Sequence, residues 1–78
     1  MAKIFYHFKD ERGSWVNDVV LCDRIPTIGE HIAISSSSPL YKVWAVIHCL
    51  FADAQHDAEV YLEAGVSTVE LLHNDLKL

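Results

Sequence analysis

The chain has 78 residues, six basic against eleven acidic side chains, and a formal net charge of −5. This length predicts one small domain over residues 1–78, and an apolar content of 51% excludes a disordered chain. The acidic balance repels phosphate backbones and the basic residues are scattered singly, so nucleic-acid binding is not expected. Two cysteines, Cys22 and Cys49, are too few for a disulfide scaffold, and we expect both to be buried as small apolar side chains.

The amino-terminal segment predicts a strand. In residues 2–9, Ile4, Tyr6 and Phe8 alternate with more polar positions, and this period of two places them on one face, which we expect to be the core face. The apolar part of this segment is too short for a secretory signal, because charged residues follow it closely. No apolar run in the chain approaches membrane-spanning length. We therefore expect a cytoplasmic protein with no membrane segment.

A charged loop around Gly13 then predicts a hairpin, with a second strand from Trp15 to Asp23 pairing back antiparallel. Neither face of that strand is cleanly polar. Trp15, Val19 and Leu21 share one side, and two valines share the other side with Cys22 and Asp18. Both faces are therefore expected to be partly covered.

The middle of the chain carries the strongest pattern. A turn at residues 26–30 leads to a short strand at residues 31–35, and the serine loop Ser35–Pro39 leads to a long segment, residues 41–51, that is apolar on both faces. A strand with two apolar faces needs two layers of partners. The alternative is one helix from Val43 to Tyr61, but the β-branched and aromatic crowding before Ala52 favours a strand.

The remaining elements complete a mainly β domain. Residues 52–58 are compatible with one short helical turn, residues 59–63 alternate as a half-solvated strand, and residues 68–72 predict a last strand before a frayed tail at residues 74–78. Five or six strands with short connections predict a small antiparallel barrel that is partly open, or a sheet with a helical turn against it.

Three short patterns follow one another along this region: Pro26-x-x-Gly29-Glu30-x-Ile32, then Tyr41-x-Val43-x-x-Val46-x-His48, then Glu59-Val60-Tyr61-Leu62. Together they resemble small bacterial β-barrel proteins, including some carried on mobile integron gene cassettes. The resemblance covers roughly residues 25–63. It implies a Src-homology-3-like barrel that is often oligomeric, and it brings no catalytic residue and no function. The serine loop stands where the related pattern has a tight turn.

Five histidines raise the question of a metal site. His48, Asp53 and His56 form the best candidate set, because a strand end and the following loop can converge on one ion. Their spacing matches no closed zinc signature, and a hydrogen-bonded His48 at the strand end beside a solvent-exposed His56 is the favoured explanation. No serine, cysteine or carboxylate shows the pattern of an activated catalytic group. We therefore expect no cofactor, no metal and no catalytic residue, and a binding protein in preference to an enzyme.

The second apolar face gives the functional hypothesis. A chain of this length has few residues left to cover it, so we expect a homo-oligomer that self-associates through Trp44, Val46, Leu50 and Trp15. A closed barrel that hides both tryptophans is the structural alternative. The functional alternatives are a small-molecule or peptide binder that uses the loops at residues 35–39 and 52–57, and a metal-dependent hydrolase that uses His48, Asp53 and His56.

Overall fold

Five strands form one mixed sheet in the computed structural model, which describes residues 1–64. In chain order the strands are β1 (Ala2–Lys9), β2 (Trp15–Cys22), β3 (His31–Ala33), β4 (Leu40–His48) and β5 (Ala58–Glu63). Their order across the sheet is β2-β1-β5-β4-β3. No described residue belongs to a helix that is long and apolar enough to cross a lipid bilayer.

The central strand, β5, forms the one parallel pair of the described sheet with its neighbour β1. β1 runs parallel to β5, with Ile4 opposite Ala58 and His7 opposite Tyr61, and the other three pairs are antiparallel. The sheet curls into a half-barrel, which confirms the predicted mainly β, partly open barrel. The parallel pair departs from an all-antiparallel arrangement, because alternation along a strand indicates which face is buried but not which strand lies beside it.

The β1–β2 hairpin is fixed by its loop. The Asp10 carboxylate accepts hydrogen bonds from the backbone N–H groups of Arg12 and Ser14, both at 2.9 Å. Gly13 has a φ of 81°, a conformation that side chains with a Cβ rarely adopt. These contacts set the register in which Lys9 lies opposite Trp15 and Phe8 opposite Val16.

The concave side of the half-barrel, called the inner face below, holds the core. Its buried residues are Ile4, Phe8, Tyr41, Val43, Ala58, Val60 and Leu62. The prediction that the even-numbered residues of β1 face the core is confirmed for Ile4 and Phe8, and Tyr6 packs against the same cluster. Alternate residues of the central strands therefore supply most of the apolar burial that stabilises this fold.

A β-bulge interrupts β4. Val43 lies opposite Leu62, but the next partner on β5, Tyr61, lies opposite Ala45, so an extra residue is inserted at Trp44. Beyond the bulge the alternation is reversed, and Val46 packs against the core. The predicted face that combined Trp44 with Val46 is therefore wrong, because a one-residue shift exchanges the two sides of a strand.

Two further expectations are corrected, and two others concern residues outside the described part of the chain. The helix alternative for residues 43–61 is excluded, since this range contains most of β4 and the start of β5. Residues 52–58 contain a turn in place of a helical segment, closed by a 3.1 Å hydrogen bond from the Ala54 N–H to the Phe51 carbonyl. The predicted strand at residues 68–72 and the tail at residues 74–78 lie outside the described residues.

The β2–β3 connection is held by one carboxylate. Glu30 accepts hydrogen bonds from the Arg24 guanidinium and from the Thr27 hydroxyl and backbone N–H. The guanidinium hydrogen bond, followed by the Thr27 hydrogen bonds, lowers the pKa of Glu30 from 4.5 to about 2. The Gly29 N–H also donates to the Val43 carbonyl at 2.8 Å, so this loop is attached directly to β4.

This carboxylate predicts a loss of stability in acid. The pKa of Glu30 is lower in the folded chain than its ordinary value, so its contribution to stability is present above pH 4.5 and is lost as the pH falls toward about 2. In Glu30→Gln we expect a smaller decline of the urea midpoint across that range than in the parent chain. Glu11→Gln, in the exposed β1–β2 loop, is the matched control and should decline like the parent. Parallel curves for the parent and Glu30→Gln would contradict this assignment.

Candidate functional site: the outer face of the sheet

The convex side of the half-barrel, called the outer face below, carries the side chains that alternate with the core. Residues opposite each other in neighbouring strands share a face, so the register identifies its members. They include Trp15, Asn17, Val19 and Leu21 of β2; Lys3, Phe5, His7 and Lys9 of β1; Glu59, Tyr61 and Glu63 of β5; Lys42, Trp44, Ala45 and Ile47 of β4; and His31 of β3.

Four rings form a continuous row across three strands of this face. The ring centres of Phe5 and His7 are 4.5 Å apart, those of His7 and Tyr61 are 4.6 Å apart, and those of Tyr61 and Trp44 are 5.7 Å apart. These spacings are typical of favourable aromatic contacts. Trp44, at one end of this aromatic row, is 51% exposed. Trp15 of β2, which lies opposite Lys9, is 54% exposed, with the Lys9 ammonium 5.4 Å from its ring centre.

His7 is the buried polar residue at the centre of the row, with 8% exposure. Its Nε2 lies 3.0 Å from Glu59 Oε1 and its Nδ1 lies 2.6 Å from Asn17 Oδ1. An ionised carboxylate only accepts hydrogen bonds, so Nε2 donates to Glu59. The Asn17 Oδ1 accepts from a protonated Nδ1, and an unprotonated Nδ1 requires the amide to turn so that its NH2 group donates. The ring is thus fixed between β2 and β5.

Three potential metal ligands meet at the edge of the aromatic row. Donor atoms of Cys49, His56 and Glu59 all lie within 4.8 Å of one another, and each residue is half-buried. Cys49 follows β4, His56 precedes β5, and Glu59 belongs to β5. The His56 ring also meets Phe5 edge-on, with the ring centres 5.1 Å apart.

Hydrogen bonds fasten the connection that brings these groups together. The Cys49 N–H donates to the Asp57 carbonyl at 2.9 Å, which closes the base of the β4–β5 connection. The Asp57 N–H donates to the Lys3 carbonyl at 2.7 Å, and the Lys3 N–H donates to the Asp57 carboxylate at 2.7 Å. The connection is therefore closed at its base and attached to β1.

The structure separates the metal candidates that the sequence suggested. His56 belongs to the cluster just described, whereas His48 lies opposite the buried Ala58 and beside Ile25 and Val46. Asp53 lies in the β4–β5 turn, and the described residues show no coordinating group of His48, Asp53 and His56. Sequence reasoning missed Cys49 and Glu59 as partners of His56. The spacing Cys-x6-His-x2-Glu across a strand connection was the available signal.

The four residues predicted to form an interface do not share one surface. Trp44 and Trp15 lie on the outer face, Val46 packs against the core, and Leu50 follows the end of β4 with 91% exposure. Leu21 and Ile47 are further exposed apolar residues of the outer face. Cys22 and Cys49 are half-buried thiols, not the fully buried side chains that the sequence predicted.

The two loops of the predicted ligand site lie at opposite ends of β4. Residues 35–39 precede this nine-residue strand and residues 52–57 follow it, so roughly 27 Å of extended chain separates them. An apolar cavity of about 150 Å³ lies elsewhere, on the inner face, with Tyr6, Val20 and Ile32 among its lining residues. Burial, with the nearby charge of Asp18 as the smaller cause, raises the pKa of the Tyr6 hydroxyl above its usual range.

Comparison of the chain with protein-family models, with curated proteins and with solved structures found no match. The resemblance to small bacterial barrel proteins therefore stays a prediction.

The hydrogen bond between Asn17 and His7 predicts a measurable coupling. We expect Asn17→Ala to lower the free energy of unfolding by about 1 kcal/mol, because His7 loses the partner of Nδ1. In a His7→Phe background, which keeps an aromatic ring in the row, the same Asn17→Ala change should cost close to nothing. Urea denaturation of the two single variants and the double variant measures the coupling. Equal costs of Asn17→Ala in both backgrounds would show that this hydrogen bond does not stabilise the fold.

Proposed function

We propose that this protein is a small non-catalytic interaction module that self-associates through the outer face of its sheet. One observation supports this proposal above the others: the outer face carries apolar and aromatic side chains, and the described residues contain no helix or further strand that forms a second layer over it. Sheets with apolar residues on both sides occur where both sides are covered. The occupant proposed here is a second copy of the chain.

The energetic case comes from the two tryptophans. Trp44 is 51% exposed and Trp15 is 54% exposed. Burying the remaining half of each side chain, roughly 100 Å², contributes about 2–3 kcal/mol per tryptophan before the cost of association is subtracted. For a domain of 78 residues that is a substantial gain, because small domains are only marginally stable.

The distribution of charge favours a copy of the same chain as the partner. The chain carries a net charge of −5, so two copies repel each other over most of their surface. The outer face differs, since it holds three lysines, at positions 3, 9 and 42, and two glutamates, Glu59 and Glu63. It is nearly neutral and contains both signs, and a two-fold axis can place the lysines of one copy against the glutamates of the other.

Because of the bulge in β4, the residues of the proposed interface differ from those that the sequence predicted. Trp44 and Trp15 remain in the proposed interface, and Leu21 and Ile47 join them as exposed members of the same face. Val46 is assigned to the core instead. Leu50 lies beyond the strand, at the margin of the proposed interface.

We expect Trp44→Glu to convert the assembly into monomers, because a charge replaces an aromatic ring at the end of the row. Light scattering coupled to size exclusion, at several protein concentrations, gives the mass directly. Ile28→Glu is the matched control, since Ile28 is also an exposed apolar residue but lies in the β2–β3 loop. It should keep the mass of the parent. A parent chain that is monomeric at every concentration, or a folded Trp44→Glu variant with unchanged mass, would refute self-association through this face.

A second candidate function is the binding of a small apolar molecule in the inner cavity. The supporting observation is its volume of about 150 Å³, close to that of engineered cavities that bind benzene. Val20 lines this cavity from β2, while its neighbour Val19 lies opposite Phe5 on the outer face.

For this candidate we expect benzene to raise the melting temperature of the parent chain, because a ligand that binds the folded state stabilises it. Val20→Phe should abolish the rise by filling the cavity, and Val19→Phe should preserve it. No rise in the parent, or an equal rise in Val20→Phe, would exclude the inner cavity as the binding site.

A further inference from the structure

We propose that Cys49, His56 and Glu59 bind a divalent transition-metal ion of the zinc class. The proposal goes beyond self-association and does not depend on it, because all three ligands come from one chain. It also differs from the set His48, Asp53 and His56 that the sequence suggested, with which it shares His56.

The three donor atoms lie nearly as close together as those in an occupied zinc site. Ligand atoms around a tetrahedral zinc ion are roughly 3.3–3.8 Å apart, given metal–ligand bonds of about 2.0–2.3 Å. The three donor atoms here already lie within 4.8 Å of one another. The remaining contraction is of a size that side-chain rotations can supply.

The donor set selects the class of ion. A thiolate sulfur, an imidazole nitrogen and a carboxylate oxygen together suit zinc and its neighbours, whereas magnesium and calcium prefer oxygen ligands throughout. The Cys49 thiol must lose its proton to coordinate, so binding transfers one proton to solvent and leaves a metal–thiolate bond. Three protein ligands leave one position for water or for a donor from a bound molecule.

The backbone and the neighbouring side chains hold the ligands in place before the ion arrives. The Cys49 N–H to Asp57 carbonyl hydrogen bond fixes the first ligand relative to the chain that carries the second. His7 donates to Glu59 at 3.0 Å, which resembles the outer hydrogen bonds that orient ligands in metal sites. The edge contact with Phe5 restricts the ring of His56. Each ligand is half-buried, so the site is accessible to an ion and partly screened from water.

Titration of the full chain with Co²⁺ tests the proposal. We expect one ion per chain, the intense visible bands of tetrahedral cobalt, and a thiolate-to-cobalt charge-transfer band that disappears when Zn²⁺ is added. Cys49→Ser should lose the charge-transfer band, and His56→Ala should weaken binding by at least about tenfold. His7→Phe should keep the band and weaken binding by about 10- to 100-fold, as expected of a residue that positions a ligand.

Matched controls come from the other cysteine and the neighbouring histidine. Cys22→Ser and His48→Ala should bind like the parent, because Cys22 lines the inner cavity and His48 lies opposite Ala58. Trp44→Glu should also bind like the parent, which separates this proposal from self-association. Loss of the charge-transfer band in Cys22→Ser, or its absence in the parent, would overturn the proposal.

A second measurement on the unaltered chain avoids any doubt about the folding of the variants. Zn²⁺ should slow alkylation of Cys49 by iodoacetamide, as mapped by mass spectrometry, and leave alkylation of Cys22 unchanged. Equal alkylation rates at Cys49 with and without Zn²⁺ would also overturn the proposal.

Discussion

A single five-stranded sheet with apolar side chains on both faces is the constraint on which the rest of this molecule depends. The inner face is closed by the curvature of the sheet, which brings Ile4, Val43 and Val60 together. The outer face has no comparable layer in the described part of the chain, and its tryptophans stay half exposed. Under the proposed function, association between copies covers the outer face.

The buried polar side chain of the outer face, His7, has hydrogen-bond partners on both neighbouring strands. His7 is almost fully buried among aromatic rings, yet both of its ring nitrogens have partners, from Asn17 on one side and Glu59 on the other. A buried ring with unpaired nitrogens is costly, so this arrangement orders three strands as well as the side chains. The Glu59 carboxylate also lies near Cys49 and His56. It therefore links the buried His7 to the proposed metal ligands.

Alternation along the chain predicted the strands and the core face of β1, because a half-buried strand must place apolar residues at every second position. It failed at Trp44, where one inserted residue reverses the faces of β4 and sends Val46 into the core. A bulge has no reliable sequence signature in a strand with apolar residues on both faces, because such a strand can pair with its neighbour with or without the inserted residue and still bury apolar side chains. The cluster of Cys49, His56 and Glu59 was missed for a related reason. Its members come from a strand end, a loop and a strand, and only the pairing of β4 with β5 brings them together.

The Asp18 carboxylate disfavours the addition of a strand from another copy of the chain at the β2 edge of the sheet. β2 lies at one margin of the described sheet, and there an oxygen of Asp18 accepts the hydrogen bond of the Val19 amide at 2.8 Å. An incoming strand would have to displace this local bond and dehydrate the acid, which disfavours fibre-like growth through main-chain pairing. At the opposite margin β3 offers a template of three residues. Growth by strand addition is thus discouraged at both margins of the described sheet. Under the proposed self-association, contacts between copies depend on side chains, which favours assemblies of finite size over open-ended polymers.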